Sequence, residues 1–245
     1  MFPSHDRRPK QDQDITDQAV EAYTNVMKTG KYTIDDVVIL SPTKKGVKGT
    51  TSINNKIQAI MNPESDDKTQ FESVTNAIDV VFREGDLVMN QKNHKGLSTY
   101  TQLGNVFTSD SQSISIVNGD IGTILRIDGN NVYIQFDEGI VEFPKKDFNN
   151  GMIIHGWCIT GHKSQGSEYK VVICIIDSSS SFQMNGNLLY TMTSRAKELL
   201  LVLGDSATIN RSLKKFENLE RETNLKDFFA INDKLMELNG KWLNH

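Results

Sequence analysis

The sequence predicts an α/β protein: a parallel sheet flanked by helices, with a small antiparallel β-barrel inserted. Three observations carry this. First, "DDVVILSP" (35–42) and "YKVVICIID" (169–177) are short runs of β-branched residues, apolar at successive positions. A strand apolar on both faces belongs to a sheet covered on both sides, which is where parallel strands occur. Second, the first run leads through a glycine-containing loop into "INNKIQAIMNP", where Ile53, Ile57, Ile60 and Met61 form an apolar stripe. Strand, loop and helix in that order are the grammar of α/β folds. Third, residues 82–149 change to short strand-like pieces broken by Asp128-Gly129-Asn130-Asn131 and Asp137-Glu138-Gly139, which are hairpin signals.

The elements follow in order. Residues 1–13 are polar and aperiodic and are expected to be a disordered lead. From Asp14, residues Ile15, Ala19, Ala22, Tyr23, Val26 and Met27 fall on one helical face, and Gly30 is the stop signal. Thr51 or Ser52 is the expected cap of the next helix. Residues 93–117, rich in Ser, Thr, Gln, Asn and Gly, are expected to form a mobile loop or a β-arm. "GMIIHGWCIT" reads as one strand, 187–205 as a helix bearing Arg195 followed by a strand, and 206–239 as two amphipathic helices. The expected division is a discontinuous α/β lobe, 14–81 and 150–245, with the barrel at 82–149.

The chain has 245 residues and a formal net charge of −4, so any nucleic-acid contact must come from a local patch rather than from bulk charge. The two cysteines, Cys158 and Cys174, have no metal-ligand spacing and the histidines are scattered, so no metal site is expected. Sparse cysteine suits a reducing, cytoplasmic setting, and no apolar run approaches a membrane span.

One stretch concentrates chemistry: "TGHKSQGSE" (160–168) lies between two buried strands. In open α/β folds ligands bind at such a sheet edge. Gly161 and Gly166 allow close backbone approach; Thr160, His162 and Ser164 offer donors to phosphate oxygens; Glu168 can accept from a ribose hydroxyl. A solvated loop with a capped helix start is the competing explanation. Lys44, Lys45, Lys48 and Lys56 form a local positive patch suited to backbone phosphates, or else a solubilising loop. On residue type alone Arg195 reads as a surface ion-pair partner. Tyr133 and Phe136 could stack bases or fill the barrel core.

"ITGHKSQGSEYKVVI" resembles motif V of the RecD-like branch of superfamily-one helicases, T-x-H-K-S-Q-G-S-E before an apolar strand, with Thr160 and His162 to Glu168 matching. "NLLYTMTSRAKELLLVLG" resembles motif VI, with Ser194 where the family usually has Thr. Ser41, Pro42, Gly46, Gly49, Thr50, Asn54, Gln58, Asn62 and Pro63 resemble the motif IV region, and "FREGDLVMNQKN" with "NGDIGTIL" resembles the family's inserted SH3-like barrel, here with a longer insertion at 94–117. "RETNLKDFF" (221–229) resembles a stretch near the family's C-terminus.

The resemblance implies a RecA-like, P-loop-NTPase-type parallel sheet, with Arg195 as an arginine finger stabilising charge on a transferring γ-phosphate. It places Gln165, Gly166 and Glu168 at ATP. It places Thr160, His162, Lys163, Ser164, Lys44, Lys45, Lys48, Thr50 and Asn54 on single-stranded DNA. ATP and Mg2+ are expected only in a complete two-lobe enzyme. The sequence contains no G-x-x-x-x-G-K-[ST] and no apolar strand ending in D-E, so the chain is expected to be the second lobe, inactive alone, with the first lobe on the same full-length chain or another subunit. The implied activity is 5′-to-3′ DNA unwinding, in repair, recombination, conjugation or phage replication. A non-catalytic interaction module keeping the lobe fold is the alternative.

Overall fold

A computed structural model describes residues 8–75, 78–104, 106–176, 185–204 and 206–216. Helix α1 (Arg8–Lys28) leads into β1 (Val37–Ser41) and α2 (Thr50–Met61). A run of strands follows: β2 (Gln70–Thr75), β3 (Ile78–Arg83), β4 (Leu87–Asn90), β5 (His94–Leu103), β6 (Val106–Ile116), β7 (Ile121–Asp128), β8 (Asn131–Phe136) and β9 (Gly139–Pro144). After the short α3 (Lys145–Asn149) come β10 (Ile153–His155), β11 (Cys158–Thr160), β12 (Tyr169–Ile176), α4 (Gly186–Thr193), β13 (Ala196–Gly204) and α5 (Ser206–Phe216).

The expected fold class is observed. Strands β11-β1-β12-β13 form a four-stranded sheet whose pairings are all parallel. Alternation along each strand splits its apolar residues between two cores. Val37 and Ile39 of β1, with Val171, Ile173 and Ile175 of β12, pack under Ile15, Ala19, Tyr23, Ile53 and Ile57 of α1 and α2. Val38, Leu40, Val172, Cys174 and Ile176 face the other way, against Leu188, Leu189 and Met192 of α4, with Ile209 and Leu213 of α5. This two-sided burial is why the strands read as unbroken apolar runs.

The antiparallel part is a seven-stranded sheet in the order β10-β4-β7-β8-β9-β5-β6, with its own core around Phe82, Phe136, Phe143 and Phe148. The turns at 129–130 and 137–138 fall where the hairpin signals place them. Residues 94–116 are the β-arm of the two expected forms: β5 and β6 pair antiparallel from His94↔Ile116 to Leu103↔Val106. Phe107 stacks on Tyr133 at 4.2 Å and Tyr100 meets the same ring edge-on at 5.3 Å, which fastens the arm to β8.

Several boundaries differ from the sequence reading. Helix α1 begins at Arg8, inside the expected lead, because Arg, Lys and Gln extend a helix without apolar periodicity. Helix α2 is capped by Gly49 rather than Thr51 or Ser52. A Cβ at Gly49 would sit 2.4 Å from the Lys44 carbonyl oxygen, so the tight loop fixes the helix start there. "GMIIHGWCIT" is two strands: β10 pairs with β4 of the antiparallel sheet and β11 with β1 of the parallel one. The switch takes two residues, with Gly156 N–H donating to Leu87 and the Trp157 carbonyl accepting from Ile39, both at 2.9 Å. Arg195 lies past the end of α4, between Ser194 and β13. Among the expected C-terminal helices, α5 is observed; residues 217–239 and "RETNLKDFF" lie outside the described residues.

A buried polar joint ties α2 to the antiparallel sheet. Asp86, fully buried at the start of β4, accepts from Gln58 and Asn62 of α2, each at 2.7 Å. It also accepts the Arg83 N–H at 2.7 Å and lies 3.1 Å from His155 Nε2 of β10. The partners come from α2 and its C-cap, the turn before β4, and β10, so one carboxylate fixes α2 and β10 relative to β4.

Candidate nucleic-acid and nucleotide interface

Residues 161–168 connect the C-terminal end of β11 to the N-terminal start of β12. Thr160 pairs with Ser41 at the end of β1, whereas Val171 pairs with Val37 at its beginning. The loop therefore crosses the sheet from one edge to the other, and its polar residues divide between two edges rather than crowding one.

At the first edge the Pro42–Gly49 loop is folded on itself. The Ser41 hydroxyl, fully buried, donates to the Lys48 carbonyl at 2.7 Å, and Thr50 N–H donates to the Thr43 carbonyl at 3.1 Å. Pro42, Thr43, Lys44, Lys45, Thr160, His162 and Lys163 line a groove of about 770 Å³. Among the described residues, no carboxylate lines it. Burial pushes the Lys163 ammonium down to about 8, with the nearby Lys44 charge adding to the shift. His162, Lys44 and Lys45 are exposed, and Thr160 is buried at the groove's floor.

The crossing itself is packed. A Cβ on Gly161 would fall 2.5 Å from Met192 Cγ and 2.8 Å from Leu188 Cδ1, so glycine lets the loop pass beneath α4. Ser164 is fully buried and donates its hydroxyl to the Gly161 carbonyl at 2.7 Å. Gly166 takes a φ of 88°, which turns the chain toward β12.

At the second edge Tyr169 N–H donates to the Arg195 carbonyl at 2.9 Å, which ties the end of the loop to the arginine's backbone. The guanidinium donates to Thr191 O at 3.0 Å, Ser167 O at 3.2 Å and Ser194 Oγ at 3.1 Å. Glu168 pairs with Lys197 at 3.0 Å, both side chains more than half exposed. Gln165 and Gly166 are exposed between the edges.

Four sequence expectations meet a physical obstacle. Ser164 offers no donor to a phosphate, because its hydroxyl is buried and committed to Gly161. Asn54 is buried and its amide clamps Cys158, donating to the carbonyl at 2.9 Å and accepting the N–H at 2.8 Å. Lys48 is only 6% exposed and is no part of a surface patch. Lys56 is ion-paired with Asp17 of α1. Phe136 lies in the core of the antiparallel sheet, and Tyr133 has one face covered by Phe107. The residues brought together are Lys44, Lys45, Thr160, His162 and Lys163 at one edge, with Thr50 at the adjoining start of α2, and Glu168 and Arg195 at the other. Sequence reasoning missed that Lys197 sits on Glu168; their separation of one strand start from the other gave no spacing signal.

Residues 155–203 match the UvrD-like helicase C-terminal domain family, and residues 53–143 match the SH3 domain of ATP-dependent RecD-like DNA helicases. The chain is 26% identical over 171 residues to the ATP-dependent RecD2 DNA helicase of Deinococcus radiodurans, covering 70% of this chain and 20% of that protein. It is 28% identical over 114 residues to the RecBCD enzyme subunit RecD of Buchnera aphidicola, covering 45% of this chain and 18% of that one. The crystal structure of Pif1 helicase from Bacteroides with ADP-AlF3 and single-stranded DNA aligns at a TM-score of 0.44 and 18% identity, over 83% of this chain and 47% of that one. The chain thus spans about a fifth of the length of the curated relatives it matches. Two regions of the chain are thus similar to domains of superfamily-one DNA helicases. Within that class the similarity is to the RecD-like branch, and the matched regions correspond to its C-terminal part.

Proposed function

We propose that the chain works as the second motor lobe of an ATP-dependent, 5′-to-3′ DNA helicase, with the barrel inserted at 82–149. It grips single-stranded DNA at one edge of its parallel sheet and supplies Arg195 to ATP at the other. The observation that carries this is the crossing loop, which joins a lysine-lined groove to the backbone of Arg195 in one packed segment. Phosphates of the strand bind Lys44, Lys45 and Lys163, with His162, Thr160 and Thr50 beside them. Such contacts hold a strand without reading its sequence.

At the other edge Glu168 holds the ribose, Gln165 and Gly166 border the nucleotide, and the Arg195 guanidinium reaches the γ-phosphate once it exchanges its carbonyl partners for phosphate oxygens. The nucleotide cradle comes from a first lobe, on the same polypeptide or another, and without it this chain does not hydrolyse ATP. Mg2+ requires several oxygen ligands. In the two-lobe enzyme those oxygens would come from the nucleotide's phosphates and the first lobe. Closing on ATP and reopening after hydrolysis would pull on residues 161–168 and alternate grip and release at the groove.

One observation favours a second reading. Arg195 already has three partners within the chain, which a non-catalytic interaction module would also show. The two readings separate when the chain is joined to a first lobe. DNA-stimulated ATP hydrolysis that Arg195→Ala abolishes supports the motor; hydrolysis unchanged by Arg195→Ala removes the arginine-finger role.

A further inference from the structure

Next to the groove lies a second cavity, of about 260 Å³, between the start of α2 and the base of the antiparallel sheet. Its apolar wall comes from Val80 and Phe82 of β3 and Ile154 of β10, and its mouth carries Lys44, Lys45 and Lys163. No carboxylate is among the lining residues. Among the described residues, none of the three ammonium groups has a hydrogen-bonded or ion-paired partner. Gathering like charges at an apolar opening is unfavourable until an anion arrives, and here the same three lysines line both cavities.

The ligand that satisfies both halves of this geometry is a flat, largely apolar ring attached to a phosphate chain. The volume lies just below the roughly 300–1,000 Å³ of sites for drug-sized molecules, which suits one ring system rather than several stacked ones. We infer that this cavity takes a single nucleobase of the bound strand, turned out of the stack while its flanking phosphates stay on Lys44, Lys45 and Lys163. The inference rests on the strand-gripping reading above and adds to it a base subsite built jointly by the parallel-sheet part and the insert. Apolar contact with the ring's face is indifferent to base identity, so the subsite measures strand spacing rather than sequence.

The test compares two single strands of equal length and charge, oligothymidylate and its fully abasic counterpart, by fluorescence anisotropy. Wild-type chain is expected to bind the base-bearing strand roughly tenfold more tightly. Thr51→Trp, at a half-buried position on the first turn of α2 that lines the cavity, should erase that difference while leaving the affinity for the abasic strand and its salt dependence in place. Circular dichroism confirms that the variant folds, and the wild-type comparison needs no variant. Equal, salt-sensitive affinity for both strands overturns the base subsite and leaves the DNA grip standing. A preference that survives in folded Thr51→Trp places the base elsewhere and overturns the assignment. Failure to bind either strand at low salt overturns the grip itself.

Discussion

At one end of the crossing loop, Lys44, Lys45 and Lys163 face open cavities with no carboxylate in the lining. At the other end, Arg195 donates to three acceptors of its own chain and Glu168 is paired with Lys197. The same short segment thus runs from an unneutralised edge to a self-satisfied one. An unneutralised edge binds an anion with little rearrangement. A self-satisfied one must exchange existing hydrogen bonds, each worth about 1 kcal/mol net, for better ones. The difference suggests an order of events, with DNA engaged first and the arginine released only when a phosphate and a partner surface are both in place.

The largest expected effect lies at the closed edge. With a first lobe supplied, Arg195→Ala should lower the DNA-stimulated turnover rate by about 10³-fold or more and leave single-strand affinity unchanged. Steady-state ATPase assays and binding titrations on the same preparation check both halves. Next comes the crossing. Gly161→Val drives a branched side chain into Leu188 and Met192 and should cost about 1–3 kcal/mol in urea unfolding. In the joined enzyme the same change should weaken the stimulation of hydrolysis by DNA. A stability loss with stimulation intact would show that the loop does not carry the signal.

A smaller effect concerns pH. Lys163 is held down to about 8 by burial and by Lys44, and a bound phosphate favours its charged form. On the proposed grip its contribution to DNA affinity should be full below pH 8 and fade as pH rises through that value, with protons taken up on binding in between. Titrations from pH 7 to pH 10, repeated with Lys163→Arg, should show the fade in wild type only. Stability moves the other way. The folded state's penalty for this charge is relieved as pH climbs from about 8 toward the ordinary 10.5. The smallest effect belongs to the exposed Glu168–Lys197 pair. Lys197→Ala should change stability by less than about 1 kcal/mol, since exposed ion pairs contribute little.

Much of the parallel sheet was legible because burial on both faces leaves an unbroken apolar signature in β1 and β12. The barrel turns were legible because Asp-Gly and Asn residues are demanded by turn geometry. The two-sheet switch at Gly156–Trp157 was not, since β10 and β11 are both short and apolar and nothing in their composition says that they pair with different sheets. Arg195 was placed on a helix because Leu-rich "AKELLLVLG" suits a helix as well as a strand; pairing with β12 from Tyr169↔Ala196 onward decides for the strand.

Among the site residues, sequence showed where polar groups concentrate but not what they bond. Ser41, Asn54, Gln58, Asn62 and Ser164 all serve the protein's own backbone or the buried Asp86. A polar residue in a motif looks the same whether its partner is a phosphate or a carbonyl several segments away. Only the fold distinguishes the two, by burying the hydroxyl or leaving it at a groove.

The contrast between the two edges is tested most directly by the salt dependence of single-strand binding in variants that each remove one positive charge. Lys44→Gln, Lys163→Gln and Arg195→Gln are alike in formal charge and differ only in which edge they alter. Each lysine change should reduce the slope of log affinity against log salt by about 0.7, and Arg195→Gln should leave it unchanged. Equal reductions from Arg195→Gln and the lysine variants, or no reduction from any of them, would contradict a loop with one edge for DNA and the other for the nucleotide.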